Sequence, residues 1–215
     1  SGAAGGVMAS RLSEDAQTSV LLLEAGPDYG AGGADLEASL PIENRLGFAP
    51  GVGVHLPRSA WEPGFSGWDF TARTGNAADR SVPLPRGKLI GGSTSVNSQM
   101  WVRGVKEDFA HWSDLGCGSW DWERVLPFFV STESDRDHGE QAYHGSDGPV
   151  RVMRIPKEEW RTTDHAFHSA CVNAGFADES DINRPDTDGG VGMLPLNLVT
   201  GDNAGYSGTG ENRTR

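Results

Sequence analysis

The beginning of the chain has the apolar pattern of a helix followed by a buried strand. Val7, Met8 and Leu12 fall on one helical face among small residues. A polar break comes next, and Val20–Leu23 is then a short apolar run of the kind that a parallel sheet buries. Glu24 ends this run. The sequence therefore predicts a helix, a turn and a buried parallel strand, in that order.

Farther along the chain, the apolar positions predict three more helices and two more strands. The helices are predicted over 107–115, 122–131 and 163–174, and the strands over 148–154 and 192–199. The long stretch 30–82 is rich in glycine and proline and shows no helical period. Apolar periodicity is lost again over 200–215, for which we predict an irregular tail.

The charge balance excludes two classes of partner. Of the 215 residues, 18 are Lys or Arg and 30 are Asp or Glu, which gives a net charge of −12 with neutral histidines. Such an acidic chain is repelled by nucleic acid and by anionic membrane surfaces. No apolar run approaches the roughly 20 residues that a membrane-spanning helix needs. We therefore expect neither nucleic acid as a partner nor a membrane segment in this chain.

Other kinds of site have little support in the sequence. The two cysteines give no disulfide framework, and the absence of a G-x-S-x-G sequence removes support for a serine hydrolase. His165, His168 and Cys171 recur every third residue on a predicted helix, but no fourth ligand accompanies them. We predict no metal site.

Residues 85–97 carry the strongest candidate chemistry. Gly91 and Gly92 lack the Cβ atoms that would keep a cofactor away from the backbone. The hydroxyl run 93–95 can donate hydrogen bonds, and the free N–H groups of such a turn form an anion-binding nest. Arg86 and the lysine two residues after it add positive charge that suits a diphosphate. This stretch is typical of a loop that binds a phosphate-containing cofactor.

The first residues add a second, complementary motif. Gly2 and Gly5 have the spacing of the second and third glycines of G-x-G-x-x-G, and the first glycine with its strand would lie upstream of Ser1. Glu24 follows about 20 residues later, where an acidic side chain accepts hydrogen bonds from ribose hydroxyls. This order is typical of a dinucleotide-binding βαβ unit.

Together these segments resemble the glucose–methanol–choline (GMC) family of flavin oxidoreductases. The matching stretches keep the family's order along the chain, and they are 10–14, 20–29, 68–71, 85–97 with 103–104, 108–112, 118–122, 125–129 and 144–149. They extend over most of the chain up to about residue 198. A collinear match of this length is far more specific than a glycine motif alone.

The resemblance implies an α/β fold with two domains. It implies a Rossmann-like FAD-binding domain over 1–147 that lacks its first strand, followed over 148–199 by the beginning of an α+β substrate domain, with the tail at 200–215. The residues implied to bind the cofactor are Gly2, Gly5, Glu24, Ala25, Arg86, Gly91, Gly92, Ser93, Asn97 and Ser98. Val96 stands where some relatives have a histidine bonded to FAD, and because valine cannot form that bond, the implied FAD is non-covalent.

The function implied is hydride transfer from the CH–OH group of a small-molecule alcohol to FAD, which supplies the redox chemistry. The family's catalytic histidine lies near the end of the full-length chain, and none of the six histidines here matches its motif. We therefore name no catalytic residue and predict that this chain is inactive alone. The alternatives are a GMC-fold cyanohydrin lyase with structural FAD and a non-catalytic fragment that needs a complementary chain. NAD(P) is a further option, which the 85–97 stretch disfavours.

Overall fold

The computed structural model describes residues 1–28, 67–73, 75, 81–84, 86–95, 97, 99–187 and 189–197. These residues fall into two compact units, the first within 1–98 and the second beginning at Gln99. This division reflects contacts within the chain. The assignment of a FAD-binding domain to 1–147 and of a substrate domain to 148–199 stays a prediction.

The first unit opens with the predicted helix. Helix α1 (Ala3–Leu12) begins after Gly2 and ends at Ser13, whose backbone N–H bonds to the carbonyl groups of the last turn. Its predicted apolar face is not buried, because Val7 and Met8 are each 58% exposed. The helical period therefore predicted the element correctly but not its packing.

The predicted buried strand at Val20–Leu23 was wrong for the described chain. These residues form no strand, and Leu21 and Leu23 are 83% and 76% exposed. A strand is stable only when its backbone N–H and C=O groups pair with a neighbour. Among the described residues no strand pairs with this run, so the Rossmann-like sheet of the sequence prediction is not seen there.

Four short strands and a 3₁₀ helix form the rest of the described first unit. Strand β1 (Gly67–Trp68) pairs antiparallel with β4 (Arg86–Gly87), and β2 (Thr71–Arg73) pairs antiparallel with β3 (Ser81–Pro83). The 3₁₀ helix Gly92–Ser95 follows β4 and lies against α1. The glycine-rich loop is thus held between a small sheet and the beginning of α1.

The second unit contains the two best predicted helices. Helix α2 (Lys106–Asp114) and helix α3 (Trp122–Thr132) pack through a core of Phe109, Trp122 and Val125. Asp121 caps α3 by accepting a hydrogen bond from the Arg124 N–H at 3.0 Å. Pro127 lies in the second turn of α3, where it removes one helical hydrogen bond.

After α3 the chain forms one small parallel sheet and one more helix. Strand β5 (Glu133–Asp135) pairs parallel with β6 (Val150–Val152), which lies within the strand predicted at 148–154. Helix α4 (Thr162–Asn173) follows a second 3₁₀ helix, Lys157–Glu159. The residue at the N-cap of α4 is Arg161, whose backbone N–H donates to the Asp164 carboxylate at 3.1 Å.

The last described segment differs from its prediction. Residues 192–197 form no regular strand, and Leu196 makes isolated bridges to Met100 and Met153. The described residues therefore contain mixed helix and strand in small sheets. None of their helices is long and apolar enough to cross a membrane.

Candidate functional site

Three separate parts of the first unit meet at the beginning of α1. The Ser1 hydroxyl donates to Glu24 Oε2 at 2.8 Å and accepts from the Gly91 N–H at 3.2 Å. The Ile90 N–H donates to the Pro27 carbonyl at 3.1 Å. These bonds bring the first glycine motif, the acidic residue and the glycine-rich loop to one place. The sequence predicted those three parts of a cofactor site separately.

Glycine is needed where these backbones touch. Gly92 has φ +56°, and a Cβ atom added there would lie 2.9 Å from Gly2 Cα. A Cβ atom at Gly26 would overlap the Lys88 carbonyl, and one at Gly87 would overlap the carbonyl of Gly92. Real Cβ atoms do not approach backbone this closely, so larger residues would push the loop away from α1. Gly26 and Gly87 were not among the predicted site residues.

Helix α1 presents unpaired N–H groups at this place. The first hydrogen bond of the helix runs from the Gly6 N–H to the Gly2 carbonyl at 2.9 Å, so the N–H groups of Ala3, Ala4 and Gly5 have no acceptor within the helix. Among the described residues, none has an atom within 4 Å of a Cβ atom built on Gly2. Such space beside unpaired N–H groups suits an anion such as a diphosphate.

The loop hydroxyls have a different role from the one predicted. Ser93 Oγ accepts from the Gly87 N–H at 3.1 Å, Thr94 Oγ1 donates to the Gly91 carbonyl at 2.6 Å, and Ser95 Oγ donates to the Ile90 carbonyl at 2.8 Å. Each hydroxyl therefore bonds the loop's own backbone. In this structure the three hydroxyl groups hold the conformation of the loop. The sequence predicted instead that they donate hydrogen bonds to a ligand.

Glu24 is held as a carboxylate. Its oxygens accept from the Ser1 hydroxyl at 2.8 Å and from the backbone N–H groups of Ala25 at 2.9 Å and Gly26 at 3.0 Å. The hydrogen bonds from Ser1 and from the Gly26 N–H lower the pKa of Glu24. An ionised carboxylate at this position can accept from ribose hydroxyl groups.

The remaining predicted residues lie around this centre or outside the described residues. Gly5 faces the apolar run, where an added Cβ atom would be 3.7 Å from Leu22 Cδ1. Arg86 lies in β4 opposite Trp68, and the Lys88 ammonium lies 4.8 Å from the centre of the Trp68 ring. Asn97 belongs to the described chain, whereas Ser98 and Val96 lie outside the described residues.

Comparison with protein families gives this geometry its context. The family model described as GMC oxidoreductase matches residues 4–208, which is nearly the whole chain. The chain belongs to the GMC oxidoreductase family. This confirms the resemblance carried by the sequence motifs.

Individual GMC relatives agree in both sequence and structure. An oxygen-dependent choline dehydrogenase from Rhizobium meliloti is 35% identical over 193 residues, which covers 88% of this chain and 31% of that protein. A 5-(hydroxymethyl)furfural oxidase from Methylovorus sp. is 33% identical over 197 residues, covering 87% of this chain and 34% of that protein. The structure of pyridoxine 4-oxidase from Mesorbium loti has a TM-score of 0.71 at 28% identity, covering 92% of this chain and 35% of that one.

The matches cover most of this chain but only part of each relative. The chain spans about a third of the length of the curated relatives it matches. An FAD-dependent oxidoreductase from Chaetomium thermophilum, at 23% identity and a TM-score of 0.69, shares the fold.

Proposed function

We propose that this chain is the FAD-binding portion of an oxidoreductase that transfers a hydride from the CH–OH group of a small-molecule alcohol to FAD. The observation that carries the proposal is the convergence of Gly2, Glu24 and the loop at Gly91 on the beginning of α1. Relatives named as a choline dehydrogenase and a furfural oxidase favour an alcohol donor. Bound FAD would supply the redox chemistry.

Each part of the site has a proposed role toward FAD. The N–H groups of the first turn of α1 would donate to the diphosphate, which Gly2 allows to approach closely. Glu24 and Ala25 would hold the ribose, because Glu24 is an ionised acceptor. The remaining proposed contacts come from the second motif, namely Gly5 behind the first turn and Arg86, Gly91, Gly92, Ser93, Asn97 and Ser98 along the loop.

We also propose that FAD is bound without a covalent bond through residue 96. The side chain of Val96 contains only carbon and hydrogen and offers no nucleophile to the flavin. Binding would therefore depend on the reversible contacts at α1, Glu24 and the loop, and it is measurable as an equilibrium.

The Glu24→Gln variant tests the ribose contact. It removes the charge but keeps the shape, so we expect FAD to bind about 10- to 100-fold more weakly, as is usual when a hydrogen bond to a charged group is lost. Calorimetric titration of the chain with FAD measures the change. Glu14→Gln is the matched control, because Glu14 is exposed and pairs with Arg11. Equal FAD affinity in both variants would remove Glu24 from the site.

The 215-residue chain alone is proposed to be catalytically inactive. A base near the alcohol is needed to take the hydroxyl proton, and the described histidines offer none that we can assign to this role. His144 and His168 are already hydrogen-bonded to carboxylates. We expect no turnover when the FAD-loaded chain is mixed with a primary alcohol and a dye acceptor. Sustained dye reduction above a protein-free FAD control would refute this.

A further inference from the structure

The second unit buries three cations and three carboxylates in one connected group, which we call the ion cluster. Its members are Arg103, His144, Arg154, Glu133, Asp135 and Asp181, all of them buried. Buried charges of this kind persist only when they are paired and hydrogen-bonded. All six residues of the cluster belong to the second unit, and none of them is among the residues proposed to contact the cofactor.

The two arginines pair with all three carboxylates. Arg103 Nη2 donates to Glu133 Oε1 at 2.5 Å. Arg154 donates through Nη1 to Asp135 Oδ2 at 2.9 Å and through Nη2 to Asp181 Oδ1 at 2.8 Å. The arginines alone leave the cluster one positive charge short of neutrality.

His144 supplies the missing charge by its position between two carboxylates. Its Nδ1 is 2.5 Å from Glu133 Oε1, and its Nε2 is 2.9 Å from Asp181 Oδ2. Ionised carboxylates only accept hydrogen bonds, so these two contacts are both satisfied when both ring nitrogens carry a proton. In a neutral imidazole, which has one N–H, the second nitrogen would face a carboxylate lone pair. The geometry therefore favours the imidazolium form.

Other titratable and charged groups surround the ring. Asp135 Oδ2 is 3.4 Å from His144 Nδ1, and Arg103 Nη2, which shares Glu133 Oε1, is 3.5 Å from the same nitrogen. The rings of Tyr143 and His138 have their centres 5.0 and 5.9 Å away. The nearest charges are thus three carboxylates and one guanidinium, and Arg154 bonds to both aspartates, sharing Asp135 Oδ2 with His144 and taking the other oxygen of Asp181.

A metal ion is a poor alternative occupant of this place. Oxygen or nitrogen atoms of Glu133, Asp135 and His144 lie within 4.8 Å of one another. However, both ring nitrogens of His144 already face carboxylates, and Arg103 and Arg154 supply the positive charge that a metal ion would. A cation entering here would be repelled by two fixed guanidinium groups.

The cluster ties distant parts of the chain to β5. The Trp101 indole N–H donates to Glu133 Oε2 at 2.7 Å. Asn183, two residues after Asp181, accepts from the Arg103 N–H at 2.9 Å and donates to the Trp101 carbonyl at 2.9 Å. Segments 101–103 and 181–183 are therefore bonded to each other and, through the cluster, to β5.

We propose that the His144 imidazolium is the cation that completes this buried cluster, and that loss of its proton in mildly alkaline solution loosens segments 101–103 and 181–183 from β5. Without that proton the cluster has three carboxylates and only two cations. The uncompensated buried charge and the lost hydrogen bond both act on the same two segments. The second unit would then have a built-in pH sensitivity centred on one side chain.

The direction of the pH effect follows from the neighbours of the ring. Burial by itself lowers the pKa of His144, but the bonds to Asp181 and Glu133 outweigh burial and raise it from 6.5 to about 8. A raised pKa stabilises the fold fully below pH 6.5, and that stabilisation is lost as the pH rises through about 8. Because the pKa of His144 is about 8 in the folded chain and 6.5 in the unfolded chain, its deprotonation lowers the folding equilibrium constant about 30-fold in total, from well below pH 6.5 to well above pH 8.

Two measurements on the 215-residue chain test this. Histidine ring NMR signals followed from pH 5.5 to 9.5 should show His144 titrating near pH 8. The folding equilibrium constant from urea unfolding should fall about 20-fold more between pH 6 and 9 in the wild type than in His144→Gln. His111→Gln, at an exposed position of α2, is the control and should keep the wild-type pH dependence.

The NMR measurement does not depend on whether His144→Gln folds. The Asp181→Asn variant removes one of the two carboxylates and should move the His144 midpoint to lower pH. A His144 midpoint at its ordinary value near 6.5 in the wild type would overturn the proposal. So would an equal alkaline loss of stability in His144→Gln and the wild type.

Discussion

Replacing Glu133 by glutamine is expected to lower the free energy of unfolding of the second unit by about 3–5 kcal/mol. The carboxylate is fully buried and receives donors from Trp101, Arg103 and His144 at 2.7, 2.5 and 2.5 Å. An amide has one acceptor oxygen, so its NH₂ group would face at least one of these donors. The guanidinium of Arg103 would also stay buried without its counter-charge.

Urea unfolding at pH 6, followed by tryptophan fluorescence, measures this effect. Glu140→Gln is the matched control, because Glu140 is exposed and in no described ion pair, and it should change the free energy of unfolding by less than about 0.5 kcal/mol. A loss below about 1 kcal/mol in Glu133→Gln would contradict the account of the ion cluster. The pKa of Glu133 lies below its usual range, because the contacts with His144 and Arg103 outweigh burial, so the carboxylate is ionised at this pH.

The helices could be predicted because their signals are local. Helices α2 and α3 match the predicted ranges to within a residue, since apolar side chains recur at helical spacing and buried contacts form between neighbouring turns. Gly175, which follows α4, has φ +98°, a conformation that favours glycine at the end of a helix. An element that is stabilised by contacts within its own segment could therefore be predicted from the sequence.

Elements that depend on distant partners were predicted less well. The run Val20–Leu23 has the composition of a buried strand, but the described residues offer it no pairing partner, and its side chains are largely exposed. Strand β5 was not predicted, because Glu133 and Asp135 read as solvent-exposed residues. Their burial depends on Arg103 and Arg154, which come from other segments, and no local pattern signals that pairing.

In the candidate site, too, local features could be predicted from the sequence, whereas contacts between distant residues could not. The glycine spacing and Glu24 are local features, and the structure brings them together with Gly91 as the sequence suggested. The role of Ser1 as the link between them was missed, because it depends on a hydrogen bond across 90 positions. The need for glycine at position 26 had one usable signal, its place two residues after Glu24 in a bend of the chain.

Replacing Gly92 by alanine is expected to weaken FAD binding by at least about 100-fold. Alanine at φ +56° is strained, and its Cβ atom would lie 2.9 Å from Gly2 Cα, which is backbone that cannot rotate away. The loop and α1 would have to separate. Loss of two hydrogen bonds from the first turn of α1 to a charged diphosphate would cost about 3–6 kcal/mol, which exceeds a 100-fold change in affinity.

Gly75→Ala provides the matched control within the same unit. Gly75 has φ +62°, so alanine there has a similar backbone strain, but no atom of the described residues lies within 4 Å of the added Cβ atom. Any loss of FAD affinity specific to Gly92→Ala then comes from separating α1 and the loop. Unfolding measurements on both variants show whether the first unit remains folded.

Equilibrium titration of the wild type, Gly92→Ala and Gly75→Ala with FAD, and of the wild type with FMN, tests most directly whether the beginning of α1 and the glycine-rich loop form one FAD site. The account predicts that the wild type and Gly75→Ala bind FAD, that Gly92→Ala binds it at least about 100-fold more weakly, and that FMN, which lacks the adenosine monophosphate part and so the diphosphate, binds weakly. Equal FAD binding by Gly92→Ala and Gly75→Ala, or FMN binding as tight as FAD binding, would contradict it.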